Sequence, residues 1–406
     1  MIWKLFLPFC LCVVPLHAAD WPNWRGPGFN GISEETDWDP DRIENILWKM
    51  EVGTGFAGVA VAGGRVYTLG HDGRKSGGEE TVYCLDVKSG KTIWSDSYPA
   101  RLLPNLHEGG PAATPTVHGQ SVYTFGKDGK LNCYVAASGK KIWGRDVLAD
   151  SAMNKPAEWG FAGSPLISGD ALIIEAAHTI AYHRQSGEIL WKSERFKPAY
   201  ATPVIFTHKG RKLLVTLKTE GLVVLEVASG KTIAIQEWKT RFSTNATTPI
   251  VIGDKIFIST GYGRGCGLFE FNGESFKEIY INKAISNHMA NCVLIDGHLY
   301  GISGNTHGIG KKHLVCMKFD TGEVKWKQQG FGCGTVSAAG KRLMVLTERG
   351  ELVISKASSA GFDALARAQV NSGRCWTVPV LANGAIYTRN AKGRLVALGV
   401  GGKEGK

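Results

Sequence analysis

A hairpin that returns along the whole chain limits what it can fold into. Residues 131–143 read LNCYVAASGKKIW, 83–94 read YCLDVKSGKTIW, 180–191 read IAYHRQSGEILW and 314–326 read LVCMKFDTGEVKW, each with Gly four residues before Trp. Alternating apolar residues make a half-buried strand, the Ser-Gly or Thr-Gly pair supplies a turn that tolerates positive φ, and the next run returns antiparallel to a large aromatic. The marker glycines Gly90, Gly139, Gly187, Gly230, Gly273 and Gly322 are spaced by 49, 48, 43, 43 and 49 residues. A period in the forties with several strands per unit describes the blades of a β-propeller.

A second marker precedes each hairpin, as in Thr114-Pro115-Thr116-Val117, Ser164-Pro165-Leu166-Ile167, Thr202-Pro203-Val204-Ile205, Thr248-Pro249-Ile250-Val251 and Val378-Pro379-Val380-Leu381. With degenerate copies at 58–60, 291–293 and 335–337, the starts number eight. The expected fold is all-β, an eight-bladed propeller of four-stranded antiparallel blades. The blades are read as 56–94, 112–143, 162–191, 200–235, 247–280, 289–326, 333–367 and 376–398. The last of these has only three strands before the chain ends, whereas ILWKME at 46–51 nearly repeats the ILWKSE of 189–194 before any blade has begun. The strand around Trp48 is therefore predicted to complete the eighth blade, closing the ring and removing an exposed sheet edge.

The domain plan that follows is a leader over 1–19, an N-terminal strap over 20–45, the propeller over 46–399 and a tail over 400–406. Lys4, the apolar run 5–16 and His17-Ala18-Ala19 have the order of a secretory signal peptide. Export to the periplasm or beyond is expected, with no transmembrane segment in the remainder. Seven cysteines follow the leader, and Cys84, Cys133 and Cys316 occupy one repeat position, which places them in different blades and too far apart to pair with one another. The formal charge of +11 is scattered, without the basic stripe beside stacking aromatics that nucleic-acid binding requires. No zinc-type histidine spacing and no serine nucleophile elbow occurs, so no metal site is assigned.

Together the hairpins and their Pro-containing starts resemble the quinoprotein-like repeats of pyrroloquinoline-quinone (PQQ) dehydrogenases and of the propeller lipoprotein of the outer-membrane BAM machinery. The resemblance extends over 46–398. It implies a propeller with one of two roles: a binding or scaffold module for a protein or polysaccharide partner of the cell envelope, or a PQQ-dependent alcohol or sugar dehydrogenase. The enzymes clamp PQQ with adjacent cysteines and use calcium; this chain has no Cys-Cys pair. The expectation is a monomeric binding module with no cofactor, PQQ with calcium being the alternative.

Propellers bind ligands where the segments between blades converge on the ring axis. Counting back from the blade starts gives His107, Glu108, Glu158, Trp159, Tyr200, Asn245, His288, Arg374 and Trp376 as candidate ligand-binding residues at the axial mouth. Arg374 and Trp376 alternate along the chain and so can face one side, suiting a carboxylate or saccharide through hydrogen bonds and ring stacking. The competing expectation is that Trp376 packs between blades and Arg374 pairs with a local carboxylate. His288 would make binding sensitive to pH in the histidine range.

Overall fold

The computed structural model describes residues 19–307 and 310–401, so the predicted leader, Ala19 apart, and residues 402–406 of the tail lie outside the described residues. Eight sheets follow one another around a ring. Seven of them contain four consecutive strands each, beginning with Ala60–Ala62, Arg65–His71, Glu79–Asp86 and Thr92–Pro99 in blade 1. In blade 8, Val380–Ala382, Ala385–Arg389 and Arg394–Gly399 are completed by Ile46–Glu51, with Trp48 opposite Ala397. The two ends of the chain thus share one sheet.

The repeated hairpin explains how neighbouring blades adhere. Each blade shows a register shift between its third and outer strands, as between Lys141 and Trp143, where the extra residue Ile142 points to solvent. In the five blades where the next residue is Trp, the bulge turns it toward the neighbouring blade. Trp94 of blade 1 covers Gly139 of blade 2, where φ is 73° and a Cβ would stand 2.5 Å from the indole. Its Nε1 donates to the Ala136 carbonyl of the same hairpin at 2.9 Å. Trp48, Trp143, Trp191 and Trp326 donate in the same way to Val87, Arg184, Val227 and Ser358 in the next blade. In blade 5, Tyr280 takes the place of the Trp, its hydroxyl donating to Phe319 at 2.8 Å.

The N-terminal segment crosses the ring instead of lying beside it. Trp21 bridges Val61 of blade 1. The Trp24 indole donates to Thr248 of blade 5 at 2.9 Å, and buried Arg25 donates to the Cys292 carbonyl of blade 6 at 3.1 Å. Ile32–Ser33 then adds a parallel strand to the innermost strand of blade 7, Thr335–Ala339, and Ser33 donates to Leu381 of blade 8. The Pro22 carbonyl also accepts from Val117 of blade 2, so a strap anchored on six blades obstructs the central channel. Its Trp24 side chain is the floor of the cavity described next.

Candidate functional site: the axial cavity

Above Trp24 the ring encloses a cavity of about 170 Å³. That is room for roughly ten waters or one small organic molecule. Phe56, His107, Trp159, Tyr200, Thr244 and Trp376 reach it from segments entering different blades, and Lys127, Tyr262 and His307 from turns between second and third strands. Aromatic groups stand in two sets. Phe56 and Trp376 stack with centroids 5.3 Å apart and planes at 24°, with His107 edge-on to Phe56. Trp159 and Tyr200 meet edge to face at 5.8 Å. Tyr200 precedes blade 4 and Trp376 blade 8, so in an eight-bladed ring the two sets face each other across the axis.

His107, Trp159, Tyr200, His288 and Trp376 line the cavity. The other residues singled out from the sequence do not. Asn245 is fully buried and donates to the Lys218 and Trp238 carbonyls at 2.7 and 2.9 Å, so it braces the loop between blades 4 and 5 and has no ligand-facing atom. Glu158 accepts from Asn105 at the surface. Glu108 and Arg374 take each other, Nη1 donating to Oε2 at 2.6 Å, and the guanidinium lies 4.5 Å above the Trp376 ring. Arg374 thus joins the loop before blade 2 to the loop before blade 8, through a carboxylate 266 residues away in the chain. Trp376 itself is turned into the cavity, its Nε1 donating to Glu348 at 3.3 Å.

The expected histidine titration is corrected as well. Burial lowers the pKa of His288 to about 4 and that of His107 to about 3, so both rings are neutral at ordinary pH. The His288 Nδ1 instead accepts from the Thr306 backbone N–H at 3.1 Å.

Phe56, Lys127, Tyr262 and His307 escaped the sequence reading. The Phe56 segment leads into a blade whose Gly58-Val59-Ala60 start is degenerate, and the other three sit on intrablade turns that counting back from starts never reaches. Tyr262 stands in the glycine-rich run YGRGCG at 262–267 and His307 in the long polar turn NTHGIGKK at 305–312, and that composition and length were the available signal.

The chain is thus a closed eight-bladed β-propeller, plugged by its strap, with an aromatic-lined cavity at its mouth. A family model described as outer membrane protein assembly factor BamB matches residues 41–110 and 78–328, and the chain belongs to that family of PQQ-like repeat proteins. The outer membrane protein assembly factor BamB of Bordetella pertussis is 26% identical over 206 residues, covering 50% of this chain and 45% of the relative, less than half its length. Among solved structures, BamB from Moraxella catarrhalis superposes with a TM-score of 0.61 at 15% identity, covering 87% of this chain and 98% of that one. The quinohemoprotein alcohol dehydrogenase of Comamonas testosteroni gives 0.66 at 13% identity, covering 95% and 81%. At such identities these likenesses concern the fold.

The dehydrogenase cofactor does not fit the residues present. There are no adjacent cysteines, and no group of three or more His, Cys, Asp or Glu able to hold a metal occurs among the described residues. The carboxylates around the cavity have protein partners, Glu108 in Arg374, Glu80 in Tyr98 and Glu348 in Trp376 and the Cys333 backbone N–H.

Proposed function

We propose that the chain is a binding propeller of the cell envelope that holds a protein partner against the mouth of its axial cavity. The observation that carries this reading is the rim. Leu106 is 64% and Phe242 54% exposed, each on a connection between blades, and each has a left-handed φ, 61° and 62°. The backbone there displays apolar side chains beside the cavity, where they would be covered by a partner. Phe242 is braced edge-on by Tyr262 and by the Arg241 guanidinium 4.8 Å from its ring, so the knob is rigid before a partner arrives. The leader expected at 1–19 and the naming of the relatives as outer membrane assembly factors favour the envelope as the place and a protein as the partner. Among the described residues no helix is long and apolar enough to cross a membrane.

The test is a photocrosslinking phenylalanine analogue at Phe242 or Leu106 in the native envelope. One discrete protein adduct is expected, and it should disappear when the other rim residue is changed to Asp. A rim that forms no adduct, or one indifferent to Phe242→Asp and Leu106→Asp, would refute the reading.

A further inference from the structure

Three blades place a long cationic side chain at or just past the end of the second strand: Lys127 in blade 2, Lys218 in blade 4 and Arg389 in blade 8, all buried. Two of them lock neighbouring blades together. Lys218 is ion-paired with Glu175 and donates to the Ala176 carbonyl at 3.1 Å. Arg389 donates to Ala57, Thr68, Leu69 and Gly53. Lys127 differs. It is only 2% exposed, and its ammonium makes no hydrogen bond or ion pair among the described residues. Its stem runs over Gly160, where a Cβ would stand 2.5 Å from Cγ, and the side chain lines the axial cavity.

We propose that this cavity binds a small organic anion with a flat apolar body, the anionic group held by the Lys127 ammonium. The proposal rests on the axial mouth being the binding face and adds the chemistry of what enters it. The Lys127 ammonium, open to the cavity but otherwise desolvated and without a protein partner, is left short of counter-charge, and an anion entering the cavity supplies it. No neighbour supplies that charge in full. Glu80 is the nearest carboxylate, but its Oε1 accepts from the Lys127 backbone N–H and its Oε2 from the Tyr98 hydroxyl, both at 3.0 Å. Arg101 holds Asp128, Glu108 holds Arg374, and His107 is neutral. The flat body follows from the facing aromatic sets, Phe56 with Trp376 and Trp159 with Tyr200. The small size follows from the cavity of about 170 Å³.

Burial brings the Lys127 amine down to about 8 and the Glu80 carboxyl up to about 7. Below both values the ammonium is present and Glu80 is uncharged. As the pH rises Glu80 first becomes a competing anion and then the ammonium is lost, so anion affinity falls through this interval.

The test compares cinnamate with its neutral isostere cinnamamide by calorimetry on the exported chain. At about pH 6 cinnamate should bind about tenfold or more tightly, the worth of a charge-assisted hydrogen bond. That preference should vanish in Lys127→Met, and in the wild type above about pH 9. Lys127→Arg, which keeps the cation at every pH, should retain the preference above about pH 9 where the wild type loses it, and it decides the matter should Lys127→Met fail to fold. Equal affinity for the two compounds, a preference that survives Lys127→Met, a preference lost above about pH 9 in Lys127→Arg, or no saturable heat would each overturn the proposal. A rim adduct obtained without carboxylate preference removes the anion site alone, and carboxylate preference without an adduct removes the protein-partner reading alone.

Discussion

Glu80 carries a cost that depends on pH. Burial raises its carboxyl to about 7, so the folded protein holds a proton there that the unfolded chain releases near 4.5. The folded state is therefore favoured below about 4.5, and this contribution is lost as the pH rises through about 7. Glu80→Gln removes the dependence: thermal unfolding should show the variant more stable than wild type at about pH 8, by up to ~3 kcal/mol, with the two converging near about pH 5. Parallel curves at the two pH values would show that Glu80 does not titrate in the fold. Nothing in the sequence marks this residue, which stands at the end of the polar run GHDGRKSGGEE yet lies within the strand Glu79–Asp86. The same limit applies to Asn245 and Arg374. Position in the repeat shows which segments converge on the axis, but the choice between ligand and neighbour is made by partners far away, such as Glu108 at 266 residues from Arg374.

At the scale of the element, the hairpin was legible because its physics is local: alternation, a turn glycine, and an aromatic a fixed distance beyond. What the pattern did not disclose is that each Trp serves the following blade. Gly139→Ala should therefore destabilise the protein by about 2–3 kcal/mol, through a φ of 73° and through displacement of Trp94. Gly119 also has positive φ, 57°, but nothing lies within 4 Å of a Cβ there, so Gly119→Asn should cost well under ~1 kcal/mol. Denaturant titration of the two variants separates packing between blades from turn preference; equal losses would mean that the Trp-on-Gly contact adds nothing. The strap was less legible. Its composition, rich in Gly, Pro and Trp, signals irregular chain, and its path across the ring is set by contacts such as Trp24 with Thr248.

For the whole molecule, closure through blade 8 predicts that deleting residues 43–52 unseats more than one strand. Trp48 leaves Gly90 of blade 1, buried Ile43 leaves the core between blades 7 and 8, and the edge Arg394–Gly399 is exposed. A large fall in melting temperature with loss of solubility is expected; a soluble product that melts as the wild type does would show that the ring is not held shut this way. Blade number and closure were readable from the sequence because both follow from counting copies of one unit. The closing pair also sets an order in time. Arg394 bonds Glu51 across 343 residues, so the strand Ile46–Glu51, made before any blade, waits for the last. At ordinary rates of synthesis the wait is roughly 20 to 70 seconds. Through that interval the segment ILWKME, with Ile46 and Leu47 apolar even where they end up exposed, is an unpaired strand on a nascent chain. The period in which this protein most needs protection from its own kind lies before its final residues have been added.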